Sequence, residues 1–186
     1  MGIQSPQYCI KLITISSNKT MSTIHRLKSI QKIPASPDVT WKFFSDPRNL
    51  FVITPPELNL KVTNEVESET YAGQVFTYTV RPMLGIPIEW MTEITHIENG
   101  RRFVDEQRKG PYALWHHQHY FKAIEGGVEM TDIVHYRLPL GFIGNLFHKP
   151  VVKGKLIEIF TYRFHKVNEI FGPWPGQQVI IEIDKK

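Results

Sequence analysis

The chain has 186 residues, 41% hydrophobic, 12% aromatic and 22% charged, the balance of one globular domain rather than of a disordered segment. Its 22 Lys and Arg against 18 Asp and Glu leave a formal charge of +4; the basic residues are scattered rather than massed, so nucleic acid is not an expected partner. The single cysteine, Cys9, excludes an internal disulfide and a cysteine-held metal cluster, and no apolar run approaches the ~20 residues that span a bilayer.

Residues 1–20 lack a signal-peptide core, since Tyr8-Cys9-Ile10 is broken by Lys11, and Pro6 stands where a myristoylation signal needs Ser or Thr. They read as an extension ahead of a domain over residues 21–172, with Met21 a second candidate start and a cytoplasmic location expected. Residues 24–33 alternate as a first strand. Ser36-Pro37 then supplies a helix N-cap followed by Pro at the first helical position, and the helix, with Val39, Phe43 and Phe44 as its apolar side and Trp41 nearby, should end before Asp46-Pro47. A second short helix is expected over residues 49–53, stopped by Pro55-Pro56.

From residue 58 the period changes to two. Strands are predicted over residues 58–64, 75–81, 88–97, 101–108, 113–124 and 128–138, separated by Ala72-Gly73, Gly85 with Pro87, Asn99-Gly100, Gly110-Pro111 and Gly126-Gly127. Short connections imply an antiparallel meander. Val152, Leu156, Phe160, Phe164, Val167 and Phe171 then recur at helical spacing until Gly172-Pro173, with Pro150 near the helix start. Residues 173–186 are left as a tail.

Within the strands, polar groups share the inner face with apolar ones. Phe103, Asp105 and Gln107 lie on one side; so do Trp115, His117, His119 and Phe121, and so do Met130, Asp132, Val134, Tyr136 and Leu138. Buried charge is costly unless paired or solvated, so these inward carboxylates and imidazoles predict a polar-lined cavity rather than a solid core.

This order of elements resembles the helix-grip fold of the START-like superfamily over residues 24–172. The pattern that carries the resemblance is Phe103, Asp105, Gln107, Gly110-Pro111-Tyr112, Trp115, His117, His119, Phe121, Gly126-Gly127, Asp132, Val134, Tyr136, Leu138-Pro139-Leu140-Gly141 and Ile159-Phe160-Thr161-Tyr162-Arg163. It is similar to the SRPBCC branch related to polyketide cyclase/dehydrase-like proteins and to the domain labelled a cell-division inhibitor. The resemblance implies an α+β domain: a curved antiparallel sheet gripping a long C-terminal helix, with two short helices after the first strand, around a deep cavity for an apolar molecule such as a lipid, quinone or polyketide. It implies no metal and no cofactor.

A turn centred on Pro111 pairs Asp105 with His117 and Gln107 with Trp115, and one centred between Gly126 and Gly127 pairs His117 with Tyr136. Asp105, His117 and Tyr136 then form a row across three strands. Such a row either satisfies polar groups and positions a ligand, or works as a cofactor-free cyclase, dehydratase or isomerase with His117 as base, Asp105 orienting it and Tyr136 donating to an oxygen. His117 and His119, two apart, could also hold zinc with Asp105 or Asp132, a spacing that permits a site without specifying one. His116 and His135 are expected on the solvated outer face.

The expected function is therefore binding or carrying of a small hydrophobic molecule, by Trp90, Asp105, Gln107, Trp115, His117, His119, Phe121, Asp132, Tyr136 and Phe160. A regulatory interaction domain is a third class. The apolar connection over residues 140–147, followed by Lys149, Lys153 and Lys155, suggests either a hydrophobic staple under the helix or transient membrane contact between Phe142 and Lys155. The sequence leaves the oligomeric state open.

Overall fold

The computed structural model describes residues 23–65, 67, 69–81, 85–139 and 148–185, with the backbone alone at residues 148–150. The N-terminal extension and the connection over residues 140–147, with the membrane contact expected from it, lie outside the described residues.

Strand β1, His25–Ile33, alternates strictly between buried and half-exposed positions, as a period of two requires when one sheet face is covered. Helix α1, Pro37–Phe44, follows, its Ser36 side chain accepting from the Val39 amide. Trp41, Phe43 and Phe44 turn toward the core, but Val39 is 52% exposed and Thr40, fully buried, takes the inner position. The second helix expected over residues 49–53 is displaced by two single 3-10 turns, Pro47–Asn49 and Pro56–Leu58.

The strand expected over residues 58–64 shrinks to β2, Lys61–Val62. The 3-10 turn Pro56–Leu58 takes the first residue of that span, and Asn59 adopts a left-handed φ of 44° that breaks the extended run. The remaining strands are β3 Val75–Val80, β4 Ile88–Glu98, β5 Arg102–Lys109, β6 Leu114–Ile124 and β7 Gly127–Arg137. A π-type turn, His148–Lys153, leads into helix α2, Gly154–Phe171.

Within the tail over residues 173–186, for which no element is expected, lies an eighth strand, β8 Ile180–Lys185. All strands form one antiparallel sheet in the order β2-β3-β4-β5-β6-β7-β1-β8. Ile181 and Ile183 pack inward beside Leu27 and Val134, and Arg26 on β1 pairs with Asp184 at 2.5 Å. The chain reaches this edge through Gln177, whose side chain bonds the Lys32 backbone amide and carbonyl at 2.5 and 3.3 Å.

Two register shifts between β4 and β5 bend the sheet, and α2 lies against its concave side. Leu156, Phe160, Phe164 and Val167 are its buried stripe. Gln31 on β1 fastens the helix by donating to the Phe164 carbonyl at 3.0 Å and to Asn168 Oδ1 at 2.9 Å.

The β6–β7 hairpin differs from expectation by two residues. Ile124 pairs with Gly127, so Glu125-Gly126 is the turn, with Gly126 at φ +79°. Gly127 is already inside the ladder because β1 passes so close that a Cβ there would lie 2.1 Å from the Ile33 carbonyl oxygen. His117 therefore faces Val134, His119 faces Asp132 and Trp115 faces Tyr136, while Asp105 opposite His117 is as expected. The row Asp105–His117–Tyr136 is not formed. Gly127→Ala is expected to cost about 1–3 kcal/mol, the usual penalty of forcing an atom into a packed site, as a lowered melting temperature; an unchanged one would show that β1 and β7 separate freely at this end.

Candidate functional site

Between sheet and helix lies a cavity of about 590 Å³, within the size range of small-molecule sites. Its wall is largely apolar: Phe76, Ile94 and Phe103 from the sheet, Leu156, Ile159 and Phe160 from α2. Ile86, 58% exposed, stands among the lining residues and marks a rim. Trp90 anchors an aromatic corner, stacked on Tyr78 at 6.0 Å and edge-on to Trp115 at 5.4 Å and to Tyr112 at 5.7 Å between centroids.

The polar part of the wall is compact. Asp105, His117, His119 and Arg163 all reach it, and Asp132 stands with them. The two imidazoles lie 3.7 Å apart by ring centroid, and His119 is stacked on Phe103 at 4.1 Å. Each ring spans two carboxylates. His117 Nε2 is hydrogen-bonded to Asp132 Oδ1 at 3.0 Å, while its Nδ1 is 3.5 Å from Asp105 Oδ2. His119 Nε2 is hydrogen-bonded to the same Asp105 oxygen at 2.8 Å. Its Nδ1 is 2.8 Å from Asp132 Oδ1 but off the line of a hydrogen bond, an electrostatic contact.

Burial alone would raise both carboxyl groups, but the imidazoles reverse this. Asp132 is held well below the usual carboxylate range by its contacts with His117 and His119; Asp105 is lowered too, by His117, His119 and Arg163. The imidazoles diverge. Burial and the adjacent His119 lower His117, against the pull of both carboxylates, whereas in His119 the bond to Asp105 and the charge of Asp132 outweigh burial and raise it. The cluster thus pairs a readily protonated imidazole with a reluctant one, beside two ionised carboxylates.

No protein-family model and no curated protein matches the sequence. Solved structures do. A protein of Chromobacterium violaceum superposes with a TM-score of 0.61 at 13% identity, covering 80% of this chain and 98% of that one. Major latex-like protein 151 of Panax ginseng gives 0.60 at 13%, covering 81% and 99%. A nucleoside-diphosphate sugar epimerase of Corynebacterium glutamicum gives 0.54 at 22%, covering 76% of this chain and 28% of that longer one. The architecture is the helix-grip fold.

Within the helix-grip frame, six of the residues expected at the site line the cavity: Trp90, Asp105, Trp115, His117, His119 and Phe160. The other four lie elsewhere. Gln107 braces the β5–β6 turn, donating to the Tyr112 carbonyl at 2.7 Å and accepting from its amide at 3.2 Å. Phe121 packs on Trp41 and Phe44. Asp132 is 5% exposed beside the histidines, and Tyr136, fully buried, stacks on His25 at 5.4 Å. His116, expected to be solvated, is instead half-buried and bonded to Glu106 at 2.9 Å, 6.3 Å from the His135 ring.

Arg163 also lines the cavity, although it is not among the site residues expected from the sequence. Its guanidinium lies over Phe160 at 4.8 Å and 3.8 Å from Asp132 Oδ1. The signal was available: Leu156, Phe160, Arg163 and Val167 follow one another at steps of four, three and four, which puts an arginine in the buried stripe. Two buried donors, Arg163 Nε and Trp90 Nε1, have no hydrogen-bond partner among the described residues.

Proposed function

We propose that this protein binds and carries a small, mainly apolar molecule that bears hydrogen-bond acceptor oxygens, a quinone, a polyketide-like aromatic or an oxygenated lipid. The observation that carries this reading is a cavity of about 590 Å³ whose largely apolar wall includes Trp90 and Arg163, residues whose Nε1 and Nε donors have no hydrogen-bond partner among the described residues. Buried donors without partners are rare in folded proteins because each forfeits its hydration. An acceptor on the ligand offers a partner to whichever of these side chains turns toward it. A pure hydrocarbon would fill the space and leave Trp90 and Arg163 unsatisfied. Val152 and Lys155, around the start of the C-terminal helix, also line the cavity, and entry of the ligand beside them is part of this proposal.

Native mass spectrometry of the purified chain, with extraction of any retained molecule, tests the reading directly. A panel of quinones, fatty acids and polyketide-like aromatics, followed for chemical change as well as retention, is expected to show retention without conversion. His117→Ala is then expected to weaken binding by about 0.5–3 kcal/mol, the range for a lost hydrogen bond. Conversion by the wild type that falls about 10²- to 10⁴-fold in this variant, with binding intact, would replace the carrier by an acid-base enzyme. Failure to retain any member of the panel would remove the carrier reading.

A further inference from the structure

We propose that Asp105, His117 and His119 form a binding site for a divalent transition-metal ion of the zinc class, set in the cavity wall with an open coordination position facing the ligand space. One donor atom from each of the three residues lies within 4.8 Å of the others. Metal bonds of ~2.0–2.2 Å require donors a little over 3 Å apart, so closure needs side-chain shifts of about 1 Å and no movement of the strands. Asp105 and His117 are direct cross-strand partners and His119 is the next inward residue on β6; the backbone thus fixes all three Cβ positions.

The second observation is Asp132. One of its oxygens lies 3.0 Å from His117 Nε2 and 2.8 Å from His119 Nδ1, the far nitrogen of each ring. The near nitrogens, His117 Nδ1 and His119 Nε2, converge on a single Asp105 oxygen at 3.5 and 2.8 Å. A carboxylate on the far nitrogen is what orients a metal-ligating histidine and raises its basicity, and here one carboxylate is hydrogen-bonded to His117 and in electrostatic contact with His119. In an ordinary polar network each imidazole needs one acceptor. In the tautomer that turns the N–H of each ring toward Asp132, the nitrogens facing Asp105 carry lone pairs, which a carboxylate repels and a metal ion accepts; both rings are buried, with side-chain exposures of 5% and 9%.

Charge agrees with the geometry. The carboxylates of Asp105 and Asp132 supply two negative charges that a divalent ion balances, and Arg163, 3.8 Å from Asp132, adds a positive charge that favours an anionic oxygen at the open position. Three protein ligands with a free fourth place is the arrangement of reactive rather than purely structural zinc sites. All three ligands line the cavity, so that place opens toward a bound molecule. The inference shares the cavity with the carrier reading but does not depend on it.

The test uses the full chain, stripped with a chelator, then titrated with Zn²⁺ by calorimetry and with Co²⁺ by visible absorption. One equivalent of each is expected, with the ligand-field bands of low-coordinate Co²⁺ and their loss on adding Zn²⁺. His119→Gln is expected to abolish binding and Asp132→Asn to weaken it about 10- to 100-fold at unchanged stoichiometry. His116→Ala, on the outer face, should change nothing. Because substitution in a buried network can unfold a chain, the wild type has its own readout: Zn²⁺ raises its melting temperature by mass action, and X-ray absorption of the zinc form shows two imidazoles and an oxygen donor. Absence of saturable one-equivalent binding in the wild type, or binding that survives His119→Gln and falls with His116→Ala, overturns the site. Stripped protein that retains an apolar probe but takes no zinc loses the metal site and keeps the carrier function; zinc uptake without retention of any probe does the reverse.

Discussion

Asp132→Ala is expected to lower the folding stability by about 3–5 kcal/mol, the cost of removing one member of a buried ionic pair and leaving the others uncompensated. Asp132 is 5% exposed, and three groups lean on it: His117 at 3.0 Å, His119 at 2.8 Å and Arg163 at 3.8 Å. Without it, Asp105 alone must balance Arg163 and the readily protonated His119 in an apolar wall. The same truncation of Asp105 should cost less, because its side chain is 16% exposed and faces the cavity, where water can substitute. Urea denaturation reads the difference as a fall in midpoint at constant slope. A loss below about 1 kcal/mol for Asp132→Ala would mean that water reaches the histidines and that the cluster is not a buried network.

Much of this arrangement could be read from side-chain period alone. Alternation over residues 103–107, 115–121 and 130–138 assigned Asp105, His117, His119 and Asp132 to the inner face, because a pleated strand leaves no third direction. The first hairpin also gave the correct partner for Asp105. The second did not, because Gly126-Gly127 offers two centres for one turn, and the choice is made by a distant element: β1 crosses within contact of Gly127. A two-residue slip preserves the face and exchanges the partner, so Tyr136 left the predicted row and Asp132 entered the cluster. β8 was overlooked for a related reason. Ile181 and Ile183 alternate with Glu182 and Asp184, a half-buried pattern, but an edge strand this short gains its stability from β1, about 150 residues earlier in the chain. Arg163 was hidden by its type, since an arginine in an apolar helical stripe reads as a surface residue until the opposite wall is known.

That arginine gives the sharpest separation between holding the fold together and holding a ligand. Arg163→Met is expected to change folding stability by less than about 1 kcal/mol, because Arg163 makes no hydrogen bond in the described structure, its contact with Asp132 is long, and methionine keeps most of the contact with Phe160. Affinity for ligands with an acceptor oxygen should instead fall about 10- to 100-fold, the worth of a hydrogen bond to a charged group. A hydrocarbon of similar size makes no such bond and should bind the variant as well as the wild type or better, since methionine adds apolar wall and leaves no buried donor behind. Tryptophan fluorescence follows both binding measurements, because Trp90 and Trp115 line the same cavity. Equal losses for oxygenated and hydrocarbon ligands would show that Arg163 shapes the wall rather than recognising an oxygen. A large loss of stability with unchanged affinity would return Arg163 to the ion network around Asp132 and remove it from ligand recognition.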